Sequence, residues 1–165
     1  MNASRKHAVP RAGGFTYVEL MITLAIMAVL ALVALPTAQL MRARAREHEL
    51  RSNLIEIREA IDAYKRAADQ GRIQLQVGDS GYPKRLQDLV DSVKDQQSVE
   101  GRRLYFLRRV PRDPMDLDAS SDPAQSWGKR AYKSPPNDPQ QGDDVYDVYS
   151  RSTQVGLNGV PYRQW

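Results

Sequence analysis

The sequence contains no cysteine and only two histidines, His7 and His48. The first absence excludes disulfides, thiolate metal sites, cysteine nucleophiles and iron–sulfur clusters. The second leaves little imidazole for zinc or for histidine-based catalysis. No glycine-rich phosphate loop is present. His48 falls on a helical pattern, so a Ser-His-Asp triad has no scaffold, and no enzymatic role is expected. What the chain does have points first in a misleading direction. Its 165 residues allow one modest domain with an appendage. The 24 Lys+Arg against 20 Asp+Glu give a formal +4. A sequence pI of about 9.4 and a mean hydropathy of −0.58 describe a soluble basic protein and invite a nucleic-acid reading.

The distribution of residues changes this picture. From Phe15 to Met41 there are 27 residues with a single charge, Glu19. That exceeds the roughly 20 residues a helix needs to cross a hydrocarbon core. A cleaved secretory signal would have an apolar region of about 7–15 residues ending at a small-residue cleavage site. This run is longer and continues into a second helical pattern. A buried soluble helix does not fit either, because no other segment is apolar enough to surround it. A lone carboxylate in lipid costs on the order of 3 kcal/mol. Glu19 therefore needs a partner, unless it lies hydrated at headgroup depth. Pro36 deletes a backbone donor and crowds the carbonyl of Leu32. Gly13-Gly14 stand before the run, after the basic residues Arg5, Lys6 and Arg11.

Gly14-Phe15-Thr16-Tyr17-Val18-Glu19, after a short basic leader and before an unbroken apolar stretch, resembles the prepilin signature of type IV pilins and type II secretion pseudopilins. The resemblance implies cleavage between Gly14 and Phe15 by a membrane prepilin peptidase and N-methylation of the new Phe15 amine. It also implies that Glu19 pairs with the Phe15 ammonium of a neighbouring subunit, and that Pro36 occupies the family's helix-softening position. A head-to-tail pairing of this kind does not close on itself and builds a helical filament. The basic residues flanking the run, Arg5, Lys6 and Arg11 on one side and Arg42, Arg44 and Arg46 on the other, nearly tie. The leader is placed in the cytoplasm by the resemblance.

Beyond Met41 the pattern stays helical. Leu50, Leu54, Ile57, Ile61, Tyr64 and Ala68 form one apolar stripe among alternating charges (Arg46, Glu47, Glu49, Arg51, Glu56, Arg58, Glu59), and Gly71 is a natural stop. The stripe is expected to lie against a small globular head; a coiled-coil dimer is the alternative. Ser80-Gly81-Tyr82-Pro83 reads as a turn into a short helix, with Pro83 at its first position and Leu86, Leu89, Val90 and Val93 on its apolar face. Lys94 to Gly101 and residues 115–126 read as loops. Trp127 to Lys133 and Val145 to Ser150 read as strands joined by Ser134 to Gly142. Gly156 to Pro161 is turn chemistry, and Tyr162 and Trp165 are expected to pin the end of the chain.

This order resembles the major (G-type) pseudopilins of type II secretion at Tyr82-Pro83, Leu86-Gln87-Asp88-Leu89, Val110 to Pro114, Trp127-Gly128 and Tyr146 to Ser150. The expected fold is α+β and type IV pilin-like: a long N-terminal helix, membrane-spanning in its first half, packed on a small head with a short helix and a small antiparallel sheet. The segments are a leader (1–14), a transmembrane or filament-core helix (15–41), a helical stalk (42–70) and a periplasmic head (71–165). The implied function is a structural subunit of a type II secretion pseudopilus. It would be anchored once in the inner membrane, and its partners would be itself, other pseudopilins, the prepilin peptidase and the inner-membrane secretion platform. The alternatives are a type IV pilin or minor pilin of a surface filament (adhesion, motility, DNA uptake) and a membrane-anchored periplasmic binding domain.

Two departures from the family stand out. Residues 115–126 separate Asp113-Pro114 from Trp127-Gly128, which the family joins directly. The family's last loop is acidic and binds calcium, whereas Arg151 to Trp165 contains no acid. No cofactor is therefore expected, with calcium in the head as the alternative. Asp116, Asp118, Ser120 and Asp122 alternate like a calcium loop, but position 121 is Ser and position 127 is Trp where Gly and Glu are required. Asp143, Asp144 and Asp147 read as a metal cluster or as a solvated strand edge. Arg102, Arg103, Arg108, Arg109 and Arg112 form a patch that could attract phosphate; the preferred reading is contact with Asp88, Asp91 and Asp95 of a neighbouring subunit. Taking Arg5, Lys6 and Arg11 away with the leader leaves 21 basic against 20 acidic residues, a formal +1. The nucleic-acid reading then loses most of its support.

Overall fold

In the computed structural model the chain is described at residues 14–118, 120 and 122–165. The leader cations Arg5, Lys6 and Arg11 lie outside the described residues. The main element is a helix, α1, Tyr17–Asp69. It starts where Thr16 supplies an N-cap: its Oγ1 accepts from the amide of Glu19 (3.2 Å) and its carbonyl from the amide of Leu20 (3.1 Å). It continues through Pro36. It stops at Gly71, as the sequence implies. Gly71 takes a φ of +70° and donates to Ala68, while Arg72 donates to Ala67, which closes off the last carbonyls.

The chain divides after Met41 into two compact units. In the first, every described side chain is exposed, including twelve large apolar or aromatic side chains between Phe15 and Leu32 that are 52–83% exposed. Covering them fully is worth roughly 1.5–3 kcal/mol each, so this stretch calls for lipid or for neighbouring helices. The helix is long and apolar enough here to cross a membrane.

The second unit, Arg42–Trp165, holds the core. Leu50, Leu54, Ile57 and Ile61 of α1 are buried against Leu86, Leu89, Trp127, Val145, Val148 and Tyr162. The 4-3-4 spacing of the stripe faces the head of its own chain, not a coiled-coil partner. A smaller cluster of Ala67, Ala68 and Ile73 packs with Val93, Leu104 and Phe106.

Among the described residues the strands form two short antiparallel ribbons, beside an isolated bridge between Val155 and Pro161. Strands β1 (Val93–Lys94) and β2 (Arg103–Leu104) pair with Val93 opposite Leu104. Strands β3 (Trp127–Arg130) and β4 (Asp147–Ser150) pair with Trp127 opposite Ser150 and Gly128 opposite Tyr149.

Several local expectations need correction. The short helix is a single 3-10 turn, Leu86–Leu89, and it starts after Arg85, not at Pro83. Asp88 accepts from the Arg85 amide at 2.9 Å and sets that start. Pro83 is instead buried, with its carbonyl accepting from the Val145 amide at 2.8 Å. Val93 belongs to β1. Residues 123–126 form a helical turn, α2 (Pro123–Ser126), with Pro123 at its start and Asp122 accepting from the Ala124 amide. A second 3-10 turn, Tyr162–Gln164, comes after the Gly156 to Pro161 segment.

Candidate functional site

The residues singled out at the N-terminal end fall on the exposed start of α1. Phe15 is 83% exposed just before the helix. Glu19 lies in its first turn, where its carboxylate faces the positive end of the helix dipole. Its own amide is the one that Thr16 caps, so the Thr16-x-x-Glu19 spacing orders the turn. Among the described residues the Glu19 carboxylate has no side-chain partner, and its neighbours Tyr17, Val18 and Leu20 are all more than half exposed. Gly14 has open space where a Cβ would sit. Pro36 lies in the helical stretch of the same unit.

Three of the head motifs, Val110 to Pro114, Trp127-Gly128 and Tyr146 to Ser150, meet in one place. Asp113 is buried; one carboxylate oxygen accepts from the Ser150 hydroxyl (2.6 Å) and the other from the Met115 amide (2.8 Å). Its backbone amide donates to Ser126 Oγ at 3.1 Å. The Trp127 indole donates to the Pro111 carbonyl at 2.8 Å. The Pro-x-Asp-Pro segment is thereby tied to the facing ends of β3 and β4. Burial pushes the Asp113 carboxyl up, against the downward pull of the Ser150 and Met115 hydrogen bonds. Gly128 is required opposite Tyr149, because a Cβ there would stand 2.3 Å from the tyrosine ring. The stretch between Pro114 and Trp127 does not separate these groups.

A second constellation, which the sequence did not single out, fastens the last residues to α1. Glu47, 7% exposed, accepts from the Leu157 amide (2.6 Å) and the Tyr162 hydroxyl (3.0 Å). Arg58 donates to Asp147 (2.8 Å), to the Val148 carbonyl (3.1 Å) and to the Trp165 carbonyl (2.8 Å). Arg51 lies over the Trp165 ring, 4.4 Å from its centroid. Tyr162 and Trp165 meet edge to face, 5.0 Å apart. The expectation that these two aromatics pin the end of the sequence holds.

The acidic groups that resembled metal ligands have other partners. Asp116 accepts from the Asp118 amide and pairs with Arg112 at 3.6 Å. Asp118 accepts from the amide and the hydroxyl of Ser120. Arg112 donates to the Asp118 carbonyl, and Arg151 lines a hollow that Asp116 and Asp118 also border. Two guanidinium groups beside three short, locally bonded carboxylates do not fit a calcium ion, which takes six to eight oxygens. Asp147 is not a solvated edge residue: it lies between Arg58 and Arg130 (3.3 Å). Asp144 accepts from the Tyr132 amide. Of the acids offered as partners for the arginine patch, Asp95 is buried against its own chain's Arg72 (2.6 Å), which holds its carboxyl below the usual range. Asp88 pairs with Arg85 at 2.8 Å.

Comparison with known proteins agrees with these motifs. Residues 10–35 match the family model described as the prokaryotic N-terminal methylation motif. The chain is 27% identical over 141 residues to the type II secretion system core protein G of Klebsiella pneumoniae, a match covering 82% of this chain and 93% of that protein. No solved structure gives a significant match. A methylation motif on an exposed apolar helix is consistent with membrane anchoring, and a pilin-like family implies processing by a prepilin peptidase and assembly into filaments. The chain is a type IV pilin-like, structural, non-enzymatic protein and a distant homologue, over most of its length, of type II secretion core protein G.

Proposed function

We propose that this chain is a structural subunit of a type II secretion pseudopilus. It polymerises through its N-terminal helix and so drives export of proteins across the outer membrane. The observation that carries the reading is the run of exposed apolar side chains from Phe15 onward, interrupted by one carboxylate, under a methylation motif. The similarity to core protein G across the head favours the secretion filament over a surface pilus.

In this reading residues 1–14 are a cytoplasmic leader, removed between Gly14 and Phe15. The new Phe15 amine is methylated, residues 15–41 cross the inner membrane and then form the filament core, and Arg42–Trp165 lies in the periplasm. Glu19 answers the Phe15 ammonium of the adjoining subunit. Both charges sit in an environment of low dielectric, so removing one strands the other at a cost of roughly 3–5 kcal/mol. Because the donor site and the acceptor site differ, each addition exposes a fresh site and growth continues. Pro36 weakens the hydrogen-bond ladder at Leu32 and lets the helix adjust as it leaves the bilayer.

The test is deletion of the chain, assayed for both exoprotein secretion and surface pili. Lost secretion with intact pili is expected; lost pili with intact secretion refutes the reading. Glu19→Ala should be inserted and processed yet give no filament. A large side chain at Gly14 should block processing, and a mature N-terminus at Phe15 in that variant would sink the cleavage assignment.

A further inference from the structure

Directly beyond the apolar run, α1 carries Arg42, Arg44 and Arg46. All three are exposed, and among the described residues none of them has an ion-pair or hydrogen-bond partner. At 100° per residue Arg46 stands about 40° from Arg42, and Arg44 about 200° from it. The three therefore girdle the helix. A partner on one side would need one stripe, whereas a girdle suits a layer that surrounds the helix. It spans about 6 Å of helix, and the polar layer on each side of a hydrocarbon core is about 5–8 Å thick. Glu47 is buried and bonded, so the first exposed carboxylate on the helix past the girdle is Glu49.

The hairpin around Leu157 is held at the same level. Val155 bridges to Pro161, Gly156 donates to the Val160 carbonyl (2.9 Å), and the Leu157 amide donates to Glu47 (2.6 Å). Glu47 is five residues, about 7.5 Å, beyond Arg42. A helical side chain leans back toward the helix N-terminus, which carries the Glu47 carboxylate and Leu157 closer still to the girdle. Val155, Leu157 and Val160 are 57%, 51% and 37% exposed. Arg151 to Trp165 contains no acid. Of the carboxylates that border a hollow with Gln154, Asp113 is buried, Asp116 pairs with Arg112, and Asp118 is bonded to Ser120.

We propose that Arg42, Arg44 and Arg46, with the exposed apolar residues of the 155–160 hairpin, dock on anionic lipid headgroups. The proposal rests on the reading that residues 15–41 cross the membrane. That anchoring commits the occupant, because the apolar run ends one residue before the girdle. Guanidinium forks match phosphate oxygens in pairs, and their aliphatic stems lie along the apolar boundary. Leu157 settles among the headgroups beside them. The near tie between the basic flanks of the apolar run then has a reason: the arginines on the head's side serve lipid binding and not orientation. The contact ties the head of an anchored, unassembled subunit to the bilayer surface.

The test uses the full-length chain in lipid vesicles, with single cysteines introduced into a sequence that has none. Leu157→Cys carries a fluorophore, and lipids spin-labelled at headgroup depth quench it. The Leu157 side chain is half exposed and its bond to Glu47 is made by the backbone, so the substitution keeps the fastening. The reference probe is Val99→Cys, fully exposed and two residues from Gln97, which bonds the Gln70 carbonyl at the far end of the helix. With phosphatidylglycerol present, quenching at 157 should exceed that at 99 by about threefold or more. Omitting phosphatidylglycerol, raising the salt, or combining Arg42→Gln, Arg44→Gln and Arg46→Gln should each lower the signal at 157 about threefold. The three arginines have no partner among the described residues, so the triple variant should unfold at the parent temperature. Equal quenching at 157 and 99, or quenching at 157 that ignores both phosphatidylglycerol and the arginines, overturns the surface. A probe at Met27→Cys, read with lipids labelled deep in the acyl chains, reports the anchor separately. If it is quenched while 157 is not, the surface falls and the anchoring stands; if it too is unquenched, both fall.

Discussion

Glu47 offers the sharpest test of how the head is held together. It is a buried carboxylate on α1, and one oxygen, Oε1, accepts both from the Leu157 amide (2.6 Å) and from the Tyr162 hydroxyl (3.0 Å). Glu47→Ala removes two hydrogen bonds to a charged acceptor. It also strands the hydroxyl of Tyr162, which is 5% exposed. Hydrogen bonds to charged groups contribute about 1.5–3 kcal/mol each, and the Leu157 amide, near the surface, regains water in part. The expected loss is about 3–4 kcal/mol. For a unit of this size that corresponds to a fall in melting temperature on the order of 10 °C or more. Glu47→Gln keeps an acceptor oxygen in place, so about half of the loss should be recovered. The assay is thermal unfolding of the detergent-solubilised chain, paired with limited proteolysis across residues 151–161. Cleavage there should speed up in the alanine variant before global unfolding. An alanine variant within about 0.5 kcal/mol of the parent, with unchanged proteolysis, would refute the assignment of Glu47 as the fastener.

Gly128→Ala should cost about 1–3 kcal/mol by overpacking against the Tyr149 ring, and Tyr149→Ser should relieve most of that cost in a double variant followed by calorimetry. Asp113 binds its proton more readily in the folded than in the unfolded chain, so its contribution to stability falls as pH rises from the ordinary carboxylate value through its raised folded value. Asp113→Asn should remove that slope from the unfolding midpoint plotted against pH; an unchanged slope would count against it. Asp95 has the opposite sign. Its pairing with Arg72 is fully present above the ordinary carboxylate value and is lost as pH falls through its lowered folded value, and Asp95→Asn should flatten the acid limb of the same plot. Arg58→Ala should destabilise the head more than Arg51→Ala, because it breaks contacts to Asp147, Val148 and Trp165 at once, as denaturant titration will show.

Much of the architecture is legible in local pattern. The Leu50 to Ala68 stripe shows its helical period, Gly71 its left-handed stop, and Tyr146 to Ser150 its β-branched and aromatic alternation. The exposed Phe15 to Leu32 stretch is legible because a continuous apolar run of membrane-spanning length shows in composition alone. What escaped has a common cause. Glu47 and Arg58 read as ordinary surface charges and Asp147 as part of an acidic cluster, because each acquires its role from a residue about 90 or more positions away. Nothing near Glu47 distinguishes it from Glu49, although one is buried and the other exposed. The ribbon of β1 and β2 is too short to leave a periodic trace. Pro83 suits the start of a helix, yet its buried ring and its carbonyl bond to Val145 hold it in the turn before one.

The excursion between Met115 and Ser126 begins beside Asp113 and ends at a serine bonded to the Asp113 amide. Its two ends are therefore held together whatever lies between them. Doubling the length of such a loop raises its closure entropy by only about 0.6 kcal/mol. The site can thus accept foreign sequence, such as an epitope or a fluorophore acceptor, at little thermodynamic cost to the fold. It offers a place to label the head while leaving untouched the aromatic fastening at Tyr162 and Trp165, which a label fused directly to those residues would disturb.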